Sequence, residues 1–127
     1  MIHTNSQPEH YLTHFTNGDQ IGSSDTTSDK GGGNRGFRPH ELLEAALASC
    51  MNMTLRMCAQ KHGIPLAGAV VLVSLNRDAP DGPTFVYRAE LHGSLSDAQR
   101  QQLLASLENC PVRATLSKRL QFAAWTD

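Results

Sequence analysis

A chain of 127 residues, 39% of them hydrophobic and 18% charged, has the balance of a folded domain and not of a disordered segment. Its length fits a single domain over residues 1–127. A formal net charge of −1 excludes a strongly basic surface, so neither nucleic acid nor an anionic membrane is expected as a partner.

Met1–Tyr11 is polar and lacks the apolar stretch of a secretory signal. Residues 9–25 read as a hairpin: His10, Leu12, His14 and Thr16 alternate with Tyr11, Thr13 and Phe15, and Asn17-Gly18 supplies the turn. On that strand His10 and His14 share a face. Thr26–Arg38 reads as a loop around Gly31-Gly32-Gly33. The triple glycine fits a flexible connector, because no GxxxxGK[ST] phosphate motif accompanies it.

Pro39 suits the first turn of a helix, and helix formers continue to about Lys61, before Gly63 and Pro65. The stretch Leu42–Cys58 is broken by Glu44 and Arg56 and falls short of the ~20 apolar residues that span a membrane. The cytoplasm is the expected compartment. Apolar residues in that stretch cover nearly the whole circumference, which marks a helix buried on all sides. One small domain struggles to surround a rod of ~30 Å, so a second copy of the chain is expected to help.

Val70–Arg77 and Thr84–His92 alternate as two strands joined by a Pro/Asp/Gly-rich turn. Ser96, with Gln99 three residues on, predicts a capping box for a second helix whose apolar face is Leu103, Leu104 and Leu107. That helix stops before Pro111. A short helical turn is expected at Val112–Ser117 and a last strand at Leu120–Trp125. The order ββ-α-ββ-α-β gives an α+β domain.

Three cysteines stand at 50, 58 and 110, without a CxxC pair, so a zinc ribbon is not indicated. In a reducing compartment such residues are either buried small hydrophobes or reactive thiols. Cys58 lies eight residues beyond Cys50 on one helix, ~12 Å along it, out of disulfide reach, and reads as core. The six histidines form no HExxH motif and read as surface residues.

The segment Pro39-His40-Glu41-Leu42-Leu43-Glu44-Ala45-Ala46-Leu47-Ala48-Ser49-Cys50 resembles the helix-opening motif of the OsmC/Ohr family. Met51–Met57, the Lys61–Leu66 helix exit, Leu95–Arg100 and Asn109-Cys110-Pro111-Val112 match as well, in the same order. The resemblance implies an OsmC-like fold: an intertwined homodimer with two long central helices wrapped by antiparallel β-sheets. It also implies reduction of organic hydroperoxides and hydrogen peroxide in oxidative-stress defence. Cys50 would be the peroxidatic thiol and Cys110 the resolving thiol. No bound cofactor is implied, and an external dithiol, such as the dihydrolipoyl group of a lipoylated protein, would restore the thiols.

A mid-helix cysteine gains little from a helix N-terminus, so a cation must favour its thiolate. In the peroxidase branch of the family this is an arginine from the N-terminal sheet, held by a glutamate. Here no arginine precedes Arg35, and His40 stands where that branch has its glutamate. Glu41 matches the acidic residue one place later, and Arg38 and Arg35 are the nearest candidate cations. Nine residues separate Glu41 from Cys50, ~13 Å along a helix and on opposite faces, so Glu41 could act only across a dimer seam. Leu47, Met51, Met53 and Phe37 are candidates for a dry peroxide pocket. Two other readings stand beside this one. The first is a non-catalytic dimer that binds an apolar ligand or senses oxidants. The second is a metal site of Cys50, Cys110 and a histidine.

Overall fold

The computed structural model describes residues 1–126. They fall into two compact units, residues 1–43 and the chain from Glu44 onward.

The first unit opens with an antiparallel meander: β1 (His3–Ser6), β2 (Thr13–Thr16) and β3 (Ile21–Ser24), in that order across the sheet. His3 faces Thr16 in one pair, and Thr13 faces Ser24 in the other. The expected Asn17-Gly18 turn joins β2 to β3. The Asn17 carboxamide oxygen accepts from Asp19 N–H at 2.9 Å and Gln20 N–H at 2.8 Å, and Gly18 takes a φ of 106°. The hairpin is shorter than its sequence suggests. His10 and Tyr11 sit in a tight turn, with Tyr11 at φ 44°, so His10 and His14 do not share a strand face. β1 was not foreseen, because His3–Ser6 is polar and exposed throughout and carries no alternating pattern.

Helix α1 (Pro39–His62) starts in the first unit and supplies the core of the second. Leu47, Met51, Leu55 and Ala59 recur every four residues and are its buried stripe. Each of the larger ones contributes ~1.5–3 kcal/mol by leaving water. Gly63, at φ 63°, turns the chain out of the helix, and Ile64 N–H closes back on the Ala59 carbonyl at 2.9 Å. Within the single chain, burial of α1 is one-sided: Leu43, Met53 and Met57 remain 43%, 50% and 66% exposed.

β4 (Gly68–Asn76) and β5 (Thr84–His92) form an antiparallel ribbon, Gly68 opposite His92 and Asn76 opposite Thr84. Ala69, Val71, Val73, Phe85, Tyr87, Ala89 and Leu91 turn one face of it to the core. Two α1 side chains bond to β4 backbone: Asn52 donates to the Ala69 carbonyl at 2.9 Å, and Glu44 accepts from Leu75 N–H at 3.3 Å. Helix α2 (Asp97–Ser106) has the expected capping box, with Ser96 Oγ accepting from Gln99 N–H at 3.1 Å and Gln99 Oε1 accepting from Ser96 N–H at 3.0 Å. Its buried residue is Leu103, followed by Leu107 just past its end; Leu104 is half exposed. A 3-10 turn at Leu107–Asn109 leads to α3 (Pro111–Leu116).

The strand expected at Leu120–Trp125 does not form. A strand needs a neighbour to take its backbone groups, and none pairs with this segment within the described residues. Phe122 and Trp125 stand 97% and 79% exposed. The element order is therefore βββ-α-ββ-αα, still α+β. Among the described residues, no helix is long and apolar enough to cross a membrane.

Candidate active site

The second unit brings together two sulfurs that lie sixty residues apart in sequence. Cys50 projects from the middle of α1 and packs, half buried, against the apolar cluster. Cys110 is fully buried within that cluster, at the junction between the 3-10 turn and α3. Its extended backbone, φ −60° and ψ 120°, is what the following Pro111 demands. Pro111 in turn suits the first position of α3, where no N–H is needed. The Asn-Cys-Pro-Val segment thus delivers one thiol inward from a helix boundary, and α1 delivers the other.

Burial is the main cause that raises the Cys110 thiol above the ordinary thiol range, and the adjacent Cys50 sulfur adds to it, both as a hydrogen-bond acceptor and as a charge when ionised. The Val112 and Arg113 N–H groups favour the Cys110 thiolate but do not reverse this. No side-chain capping hydrogen bond forms there. Burial thus favours the protonated Cys110 thiol beside Cys50. The guanidinium of Arg113 is engaged with Glu108 at 3.0 Å, an ion pair that brackets Cys110 along the chain. Sequence reasoning missed this pair; a five-residue spacing across a proline carries no helical signal.

The other two candidate residues meet in the first unit. Arg38 Nε and its backbone N–H both donate to Glu41 Oε1, at 3.1 and 2.9 Å. Arg38 is the residue before α1, and its carbonyl accepts the helical bond from Leu42 N–H. Glu41 therefore performs the third-position half of a capping box and fixes the guanidinium with the same oxygen. The Arg38 backbone N–H, followed by the guanidinium, holds the Glu41 carboxyl below its ordinary range. Arg35 makes a longer, exposed contact of 3.5 Å with Glu9.

Leu47 and Met51 are sealed core, whereas Met53 and Phe37 are 50% and 59% exposed. A groove of the second unit, about 500 Å³, runs past Thr54, Met57, Cys58, Lys61, Gln102 and Pro111, and neither Cys50 nor Cys110 lines it. Cys58 is half buried at its wall, against the core as expected. Among the described residues, no group of three or more His, Cys, Asp and Glu side chains could hold a metal ion.

Residues 31–124 match the family model described as OsmC-like protein. The chain belongs to the OsmC-like family. Solved structures carry the same fold at low identity. An OsmC-like protein from Mycoplasma pneumoniae is 18% identical, with a TM-score of 0.76 over 91% of this chain and 85% of that one. The organic hydroperoxide resistance protein OsmC of Legionella pneumophila is 20% identical, with a TM-score of 0.66 over 92% and 88%. The organic hydroperoxide resistance protein OhrB of Bacillus subtilis is 23% identical, with a TM-score of 0.57 over 92% and 90%. Comparison with curated proteins gives no match. In this OsmC-like chain, Cys50 and Cys110 fall inside the matched segment, as do Arg38 and Glu41.

Proposed function

We propose that this OsmC-like protein reduces organic hydroperoxides with Cys50 as the attacking thiol and Cys110 as the resolving thiol. The observation that carries the reading is the adjacency of the two sulfurs, with Cys110 held protonated beside Cys50. The naming of similar structures as organic hydroperoxide resistance proteins supports the substrate class.

The Cys50 thiolate attacks the distal peroxide oxygen, and the O–O bond breaks. The departing alkoxide takes a proton and leaves as an alcohol, and Cys50 becomes a sulfenic acid. Cys110 attacks the sulfenic sulfur, the S–S bond forms, and the sulfenic hydroxyl leaves with the thiol proton as water. An external dithiol, such as a dihydrolipoyl group, returns two electrons and two protons. No bound cofactor enters this cycle. A reducing cytoplasm suits it, since the resting state is the dithiol.

Arg38, fixed by Glu41, is the cation assigned to the Cys50 thiolate. Because helix geometry keeps Glu41 away from Cys50 of its own helix, the pair acts on the partner's thiol in a homodimer. The exposed Leu43, Met53 and Met57 on α1 support a second copy against that helix. The competing reading is a non-catalytic dimer that binds an apolar ligand or senses oxidants. It draws on the engagement of Arg113 with Glu108, which leaves the guanidinium nearest Cys110 in sequence already paired.

Purified protein supplied with dihydrolipoamide and cumene hydroperoxide is expected to consume the peroxide. Cys50→Ser should abolish turnover, and Cys110→Ser should leave a sulfenic acid that dimedone traps. Absence of turnover, with Cys50 reacting no faster than a free thiol, selects the non-catalytic reading.

A further inference from the structure

The triple-glycine segment, read from sequence as a flexible connector, is tightly built. Asp25 is only 4% exposed, and both carboxylate oxygens are used. One accepts from Thr26 N–H at 2.7 Å; the other accepts from Gly33 N–H at 3.2 Å and Arg35 N–H at 3.1 Å. Backbone contacts close the same loop. Asn34 N–H reaches the Thr26 carbonyl at 3.1 Å, Asp25 N–H reaches the Phe37 carbonyl at 3.0 Å, and Phe37 N–H reaches the Ser23 carbonyl at 3.1 Å. A methyl group at Gly32 would meet the Thr26 carbonyl oxygen, and one at Gly36 the Ser23 carbonyl oxygen.

We propose that Asp25 is a positioning residue for the Arg38 guanidinium. The loop it organises ends one residue before Arg38, and the last residue of that loop, Phe37, is tied through its N–H to Ser23 of β3 and through its carbonyl to the N–H of Asp25 itself. Arg38 thus enters α1 from a fixed anchor, and Glu41 needs only to orient its side chain. Without the Asp25 carboxylate, two or three loop N–H groups lose their acceptor, and the anchor slackens. The inference rests on the assignment of Arg38 as the activating cation. It adds that this cation is set from a buried acid thirteen residues upstream.

The test uses the full-length protein with Asp25→Asn, Arg38→Ala and the double variant, and measures Cys50 oxidation by cumene hydroperoxide together with the thermal midpoint. Misplacing a catalytic group by about 1 Å costs up to about a hundred-fold, so Asp25→Asn should slow oxidation by between about ten- and a hundred-fold. The double variant should be no slower than Arg38→Ala alone, because the effect passes through Arg38. Asp25→Glu, which keeps the charge, should restore part of the rate and serves if Asp25→Asn fails to fold. A ¹⁵N-labelled Arg38 Nε–H signal gives a readout independent of activity, expected to shift or broaden in Asp25→Asn and to stay put in Asp19→Asn. Multiplying losses in the double variant, or an unchanged Nε–H signal, overturn the proposal. If Arg38→Ala leaves the rate intact, the functional assignment of Arg38 fails separately, and the Nε–H signal alone decides whether Asp25 positions it.

Discussion

The two units of this chain are held together by different physics. Among the described residues of the first, only Leu12 and Asp25 are buried, and its form comes from backbone ladders and from N–H groups gathered on one carboxylate. The second is organised around an apolar cluster of Leu47, Met51, Leu55, Leu103, Leu107 and Cys110. The candidate residues inherit this contrast. Arg38 and Glu41 are oriented by hydrogen bonds at the edge of water. Cys110 is desolvated and keeps its proton. A charged pair and a protonated thiol need opposite surroundings, and the fold supplies each by its own means.

The contrast breaks most visibly in the second unit. Leu55 is fully buried, and Leu55→Ala should cost ~2–5 kcal/mol in urea unfolding, since a cavity is left where the stripe of α1 packs. Fluorescence of Trp125, which is exposed, should report little of this, so far-UV circular dichroism is the appropriate probe. In the first unit the damaging change is an addition. Gly36→Ala puts a methyl group against the Ser23 carbonyl and should cost ~1–3 kcal/mol by forcing the backbone apart. Backbone amide exchange should then speed up for Phe37 and Asp25 while Leu103 stays protected; equal acceleration in both units would erase the distinction.

How far the sequence could be read follows the same division. The second unit was legible because burial writes periodicity into a chain. The α1 span, the β4–β5 ribbon and the Ser96 capping box all stand where spacing and capping rules put them. The first unit was less so. β1 carries no apolar alternation, and three glycines could not announce that Asp25 would gather the N–H groups around them. An Asp before Thr-Thr-Ser and a glycine run is a hint of local side-chain bonding, but the acceptor lies eight and ten residues from two of its donors. The adjacency of Cys50 and Cys110 came from family resemblance, since no spacing rule joins residues sixty apart. The Leu120–Trp125 strand failed for a related reason: strand propensity was present, yet pairing is decided by what lies alongside.

A smaller effect sharpens the comparison without touching the core. Ser96 caps α2 through its hydroxyl, so Ser96→Ala should cost ~1 kcal/mol. Ser96→Asp, which retains an acceptor and suits the helix dipole, should recover most of it. Chemical denaturation monitored at 222 nm distinguishes the two variants; a negligible loss in both would mean that the Gln99 half of the box, which bonds to the Ser96 backbone N–H, carries the cap.

Dependence on pH should separate the units by sign. Asp25 and Glu41 are both held below their ordinary carboxyl values, Asp25 chiefly by the Arg35 N–H and Glu41 chiefly by the Arg38 N–H. A depressed carboxyl supports the fold above its unfolded value and loses that support as pH falls through the folded value. The first unit should therefore loosen on acidification below the ordinary carboxyl range, read as loss of the Gly33 and Arg35 amide signals. Cys110 is shifted the other way, by burial first. Its protonated form supports the fold below the unfolded thiol value, about 8.5, and that support fades as pH rises toward the folded value. The second unit should weaken on the alkaline side, read as a falling denaturation midpoint above about pH 8.5. Cys110→Ala removes the titrating group, so its midpoint, lower at neutral pH, should decline less steeply with alkali. An alkaline slope unchanged in Cys110→Ala would place the titration elsewhere and remove the electrostatic half of the contrast.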